Sequence, residues 1–179
     1  MAERTKIWIA DTMKKLLAKK KLEEIRVTEL CRTAGIERPT FYYHFRDKYD
    51  LMAWMLFKSA YKTDILSAES AAAGLNRMRR ELYFYKRVYE DNSQSPMWSN
   101  MLEYYVKRYT DIAGEKTGGT LDAQTLYSIR LYCYGTLGMT REWLLKDKFT
   151  SAEAAAKMMF NAMPDALKTI YFGKAVYFS

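Results

Sequence analysis

The chain has 179 residues, three prolines, eight glycines and a hydrophobic fraction of 49%, enough for one compact body or for a small head fused to a larger helical domain. It lacks a sustained alternation of β-branched residues, which excludes a sheet protein and predicts an all-α one. The net charge of +8 and the pI near 9.3 favour a polyanionic partner, and residues 1–50, with 12 Lys/Arg against 8 Asp/Glu, hold half of that excess.

From Thr5 to about Lys20, Ile9, Met13, Leu16 and Leu17 recur at helical spacing, with Lys14, Lys15, Lys19, Lys20 and Lys21 on the wet side. A second helix is predicted from Val27 or Thr28, where Glu29 suits the positive end of the helix dipole, to Gly35. Leu30 and Ala34 make its apolar face, Gly35 supplies the left-handed residue that ends it, and Ile36 plugs the turn. Pro39 then opens a short third helix at a first-turn position, where its missing N–H costs nothing. Phe41 and Phe45, four apart, point inward, while Arg38, Thr40, Tyr42, Tyr43 and His44 put donors and flat rings outward. A fourth helix starts at Asp47, a good N-cap, with Asp50 in the place of the Glu of a capping box.

The tract Gly35-Ile36-Glu37-Arg38-Pro39-Thr40-Phe41-Tyr42-Tyr43-His44-Phe45, followed by Asp47-Lys48-Tyr49-Asp50-Leu51, resembles the signature of TetR/AcrR-type transcriptional regulators from about residue 5 to residue 57. Within that family the stretch from Thr40 to Leu51 is most similar to the branch of dihydroxyacetone kinase regulators. The resemblance implies an N-terminal three-helix helix-turn-helix head, residues 1–47, and a C-terminal helical bundle, residues 48–179, that binds effectors and dimerises. Beyond residue 57 it is a likeness of architecture alone. One departure stands out: Arg26 occupies the position where relatives commonly carry a Thr or Ser N-cap, which makes Arg26 a candidate phosphate ligand.

Further along, Leu51, Trp54, Met55 and the stretch from Lys58 through Ile65 are expected to prolong the fourth helix and link head to body. After Ala71-Ala72-Ala73-Gly74 the pattern restarts, with Leu75, Met78, Leu82, Tyr85 and Val88 or Tyr89 on one side, and residues 91–96 break it. A helix from Met97 to about Ala113 follows, and residues 114–120 have the composition of a weakly ordered loop. The penultimate helix spans about Leu121 to Lys146. The last begins at a Ser151 cap and bends at Pro164, and a short Leu167–Tyr171 segment closes the chain.

Roles follow from groove geometry. Only the major groove, about 12 Å wide, shows base-specific donor and acceptor patterns, and it admits one helix. Arg38 is the base reader, its planar fork suited to guanine; Pro39 and Tyr42 offer apolar contact to thymine methyls. Thr40, Tyr43, His44 and Lys48 face the flanking phosphates, and Thr28 suits either partner. His44 is the only histidine, and neither Cys31 nor Cys133 has a partner at ligand spacing, so no metal or other cofactor is expected; the cysteines read as packed thiols, with a redox or intersubunit role as the alternative.

A single head makes too few contacts for useful specificity, so the expected partner is double-stranded DNA carrying a palindromic operator, read by a homodimer. Tyr127, Leu131, Tyr134, Trp143, Met158 and Met159 are the interface candidates, with Gly135 and Gly138 permitting close helix approach, although each is equally placed for its own subunit's core. Trp54, Tyr61, Tyr83, Trp98, Met101, Tyr105 and Tyr109 are candidates to line an effector cavity, against the commoner fate of aromatics at helical spacing, plain core. The leading function is a cytoplasmic repressor released by a small apolar or aromatic effector. The alternative is a co-activator or adaptor whose filled pocket leaves control to a protein partner. An enzyme is not expected: no Gly-rich phosphate loop, nucleophile–base set or carboxylate pair is visible, and no run is long enough to span a membrane.

Overall fold

The computed structural model describes residues 2–58, 64–91 and 97–177, and these are helical or in short connections, with no strand among them. By contacts the chain divides into two compact units, residues 1–62 with 81–97, and residues 63–80 with 98–179. The first holds α1 (Ala2–Leu17), a 3-10 turn (Leu22–Glu24), α2 (Val27–Ala34), α3 (Arg38–His44), α4 (Lys48–Phe57) and α6 (Leu82–Glu90). The second is built on α5 (Ala68–Arg80), α7 (Met97–Thr117), α8 (Ala123–Leu145), α9 (Ala152–Asn161) and α10 (Asp165–Phe172).

In the head unit, Ile9, Met13 and Leu17 of α1 meet Leu30, Phe41, Leu51 and Met52 in a core where each is fully buried. Asp47 caps α4 as expected: its carboxylate accepts from the N–H groups of Tyr49 and Asp50, both at 2.8 Å. Asp50 reaches back one residue further than a capping box requires and takes the Arg46 N–H at 2.9 Å. Helix α6 also packs on α1. Lys14 meets Glu81 at 2.7 Å, and the Arg87 guanidinium donates to the Leu17 carbonyl at 3.1 Å, where α1 runs out of internal partners.

The middle of the chain differs from expectation in three places. Helix α4 ends at Phe57 and does not extend to Ile65: residues 65 and 66 form a turn in which Asp64 accepts the Leu66 N–H, and Ser67 accepts the Ser70 N–H to begin α5. Residues 59–63 lie outside the described part. Next, α5 runs straight through Gly74, since a single interior glycine costs a helix only about 1 kcal/mol. The break falls instead at Glu81, with φ −106° and ψ 33°, whose carboxylate is held by Lys14; neither glycine nor proline marks it.

In the body, Tyr109, Ala113, Ile129, Tyr132, Cys133, Leu167 and Tyr171 form one buried cluster, with Trp98 and Tyr105 packed against it. Its hydroxyls are bonded to backbone: Tyr109 to the Ile65 carbonyl at 2.9 Å, Tyr171 to that of Tyr109 at 3.0 Å, Tyr132 to that of Met159 at 3.2 Å. Burial pushes all three phenols up, so they stay protonated and act as donors. Helix α7 continues past Gly114 to Thr117, so half of the expected loop is helical. Asp122 and Ser151 cap α8 and α9, each accepting from the N–H three residues on. Buried Lys168 donates to the Asn161 carbonyl at 3.0 Å, pairs with Asp165 at 3.3 Å and lies 3.9 Å from the Tyr177 ring centre.

Candidate nucleic-acid interface

Gly35, at φ 66°, ends α2 with the paired bonds of a Schellman close: its N–H goes to Arg32 O at 3.3 Å, and that of Ile36 to Cys31 O at 3.0 Å. The Ala34 carbonyl is then met from another helix, by the Trp8 indole N–H at 2.7 Å. No local sequence signal points to Trp8, which lies 26 residues from its acceptor. Helix α3 is pinned by its inward rings. Phe41 and Phe45 are buried, 5.9 Å apart, and Phe45 meets Trp54 edge-on at 5.8 Å.

With that face fixed, Arg38, Pro39, Tyr42 and Tyr43 are exposed, Tyr43 by 80%. The Arg38 guanidinium lies 5.8 Å from the Tyr42 ring centre, an attraction that holds the fork on the outward side before any partner arrives. Thr40 and His44 are half-buried at the margins, and His44 meets Tyr43 edge-on at 4.9 Å. Arg26 and Thr28 are exposed where α2 begins. Arg26 holds the N-cap position in extended geometry; its carbonyl accepts the Leu30 N–H at 3.0 Å, but its side chain caps none of the N–H groups that open α2. In the same turn, Glu29 is held by Lys20 at 2.7 Å, which lowers its carboxyl below the usual range.

Lys48 departs from its expected role. Its ammonium donates to the carbonyls of Leu22, Ile25 and Glu23 at 2.7, 2.9 and 3.1 Å, and an ammonium has three N–H groups. None is left for a phosphate in this arrangement. Burial, the larger influence, lowers its pKa against the opposing pull of Glu23.

The remaining candidates separate by position. Trp54 is used within the head, its ring facing Phe45 with the Lys58 ammonium 4.7 Å from the centre, and Tyr83 is exposed by 64%. Trp98, Met101, Tyr105 and Tyr109 lie in the body; Met101 and Tyr109 are buried, the other two half-buried, and Tyr109 is a bonded member of the core cluster. Tyr61 is outside the described residues. Of the interface candidates, Tyr127, Leu131, Tyr134 and Met158 are exposed. Trp143 is not an interface residue of this kind: it is buried, with the Arg79 guanidinium 3.9 Å above its ring and its indole N–H on the Thr150 carbonyl at 3.0 Å. Met159 is half-buried and accepts from Thr140 through its sulfur at 3.7 Å.

A helix followed by a glycine turn and a proline-opened helix, turned outward on a three-helix frame, forms a helix-turn-helix, the arrangement DNA-binding heads use. Residues 9–55 match the family model described as bacterial regulatory proteins, tetR family. That match covers the head alone, which is therefore similar to the DNA-binding domain of tetR-family regulators. Among solved structures the chain is similar to the dihydroxyacetone kinase operon activator DhaS, at 16% identity and a TM-score of 0.61, over 96% of this chain and 98% of that one. At that identity the likeness speaks to the fold. No curated protein matches the chain in sequence. No helix among the described residues is long and apolar enough to cross a membrane.

Proposed function

We propose that the chain acts in the cytoplasm as a homodimer that reads a palindromic operator through α3. The observation that carries this reading is the outward face of α3, where Arg38 is stacked toward Tyr42 above two buried phenylalanines. Arg38 contacts a guanine, Pro39 and Tyr42 meet thymine methyls, and Thr40, Tyr43 and His44 meet phosphates, with Arg26 and Thr28 taking the strand at the start of α2. Residues 1–47 do the reading, and residues 48–179 carry control and pairing. The apolar face of α8 supports the pairing: Tyr127, Leu131 and Tyr134 are exposed at helical spacing, and Gly135 and Gly138 have open space where a side chain would begin.

For control, the first reading is a repressor released by a small apolar or aromatic effector. The bonded tyrosine core of the body favours a second, a co-activator or adaptor in which a protein partner replaces the ligand. The likeness to DhaS, a dihydroxyacetone kinase operon activator, agrees with the second and with the branch that the Thr40–Leu51 tract resembles.

The test is selection of genomic fragments by the purified protein, repeated with Arg38→Ala and with a library of hydrophobic effectors. A shared inverted repeat is expected, with the ratio of specific to non-specific affinity falling roughly ten- to a hundredfold in the variant, the worth of one bidentate base contact. Fragments without a common repeat, or an unchanged preference in the variant, would overturn the reading. Release by a library compound would decide for the first mode of control.

A further inference from the structure

The geometry points to Lys48 as a positioning residue, a clasp that joins the two ends of the DNA-reading segment, in place of a phosphate ligand. Lys48 is the first residue of α4, immediately after the reading segment; its three acceptors, Leu22, Glu23 and Ile25, close the 3-10 turn just before it. Everything between, from Arg26 through α2, the Gly35 turn and α3 to Asp47, is enclosed by this crosslink. The charge is badly placed for α4 itself, since a cation in the first helical turn opposes the dipole. It is well placed for the short helix opposite, where three carbonyls converge with their negative ends toward it. The ammonium therefore stabilises the lead-in to α2 at the expense of its own helix.

Its effect on recognition is indirect. Ile25 is buried, so the clasp and this side chain together set the backbone at Arg26, whose extended conformation begins α2 and presents Arg26 and Thr28 outward. The Trp8 bond to Ala34 holds the other end of α2. With both ends of α2 tied, the spacing between its start and the outward face of α3 is fixed before DNA binds, the kind of preorganisation that raises affinity without adding a contact. This inference rests on the DNA-reading role proposed above for α2 and α3.

Lys48→Met keeps the stem and removes the donors. In the DNA-free protein, amide hydrogen exchange across residues 22–26 is expected to quicken about tenfold or more, while exchange in the body stays as it was. Binding to a polyanionic duplex of random sequence should weaken, yet the slope of log affinity against log salt should stay within about half a unit of the parent, because no phosphate partner has been removed. Unchanged exchange at 22–26 together with a slope reduced by about 0.9 would overturn the clasp and restore a phosphate contact. Should Lys48→Met fail to fold, the parent protein labelled with nitrogen-15 at lysine decides: slowly exchanging Lys48 ammonium protons without DNA support the clasp, and protons exchanging like those of surface lysines refute it. Both exchange measurements are made without DNA, so their failure leaves the base-reading proposal for Arg38 standing.

Discussion

In the head, backbone carbonyls at helix ends are met by long side chains sent from elsewhere in the sequence: Trp8 to Ala34, Lys48 to the 3-10 turn, Arg87 to Leu17. In the body, tyrosine hydroxyls inside the core meet carbonyls of another kind, Tyr109 that of Ile65 in the turn before α5 and Tyr171 that of Tyr109 within α7. The donors differ in what surrounds them. Trp8 is 53% exposed and its bond partly buried, whereas Tyr109 is 7% exposed and its bond buried, so water reaches the first site more readily than the second. The ties of the head thus lie nearer water, whereas those of the body are made inside its core.

Substitutions that delete one donor at a time probe this contrast. Tyr109→Phe should destabilise the protein by about 1–3 kcal/mol, the penalty for orphaning a buried carbonyl, read as a shift in the urea midpoint at constant slope. Gly35→Ala comes next: space is open around the position, so only the left-handed backbone resists, at about 1–2 kcal/mol, and DNA affinity should fall with it. Trp8→Phe removes a donor at the surface and should cost about 0.5–1.5 kcal/mol; a loss as large as that of Tyr109→Phe would erase the distinction between the two regions. The smallest effect is expected in the turn between α8 and α9. There Asp147 accepts from Thr150 and Phe149, which holds its carboxyl down at about 2 against an ordinary 3.8. A carboxyl depressed by folding contributes stability above its unfolded pKa and loses it as pH falls through the folded one. The turn should therefore loosen between about pH 4 and 2, seen as faster exchange of the Thr150 amide, and Asp147→Asn should abolish that dependence.

Much of the reading head was legible because its signals are local. Gly35 had to stop a helix, Pro39 had to start one, and Asp47 had to cap one, and each depends on its own backbone within a few residues. The match of residues 9–55 to the family model agrees with the tract quoted from the sequence. The ties across the fold were not legible. Lys48 and Trp8 are charged and amphipathic residues whose acceptors lie 23 to 26 residues away, and nothing in their neighbourhood marks those acceptors. The helix break at Glu81 was missed for a similar reason: it is held by Lys14, 67 residues earlier, not by a glycine or proline. Trp143 looked like an interface residue because it shares a helix with exposed apolar side chains, but Arg79 from α5 covers its ring. The aromatic stripe of α7 was compatible with cavity or core, and the hydrogen bonds of Tyr109 place that residue in the core.

Cys133 sits in the middle of that core with no exposed surface, and burial pushes its thiol up to about 12. At neutral pH the thiol therefore stays protonated, and its sulfur is closed to reagents while α8 is packed. The sulfur thereby becomes a clock for opening: the rate at which a small electrophile labels it counts how often the tyrosine cluster comes apart.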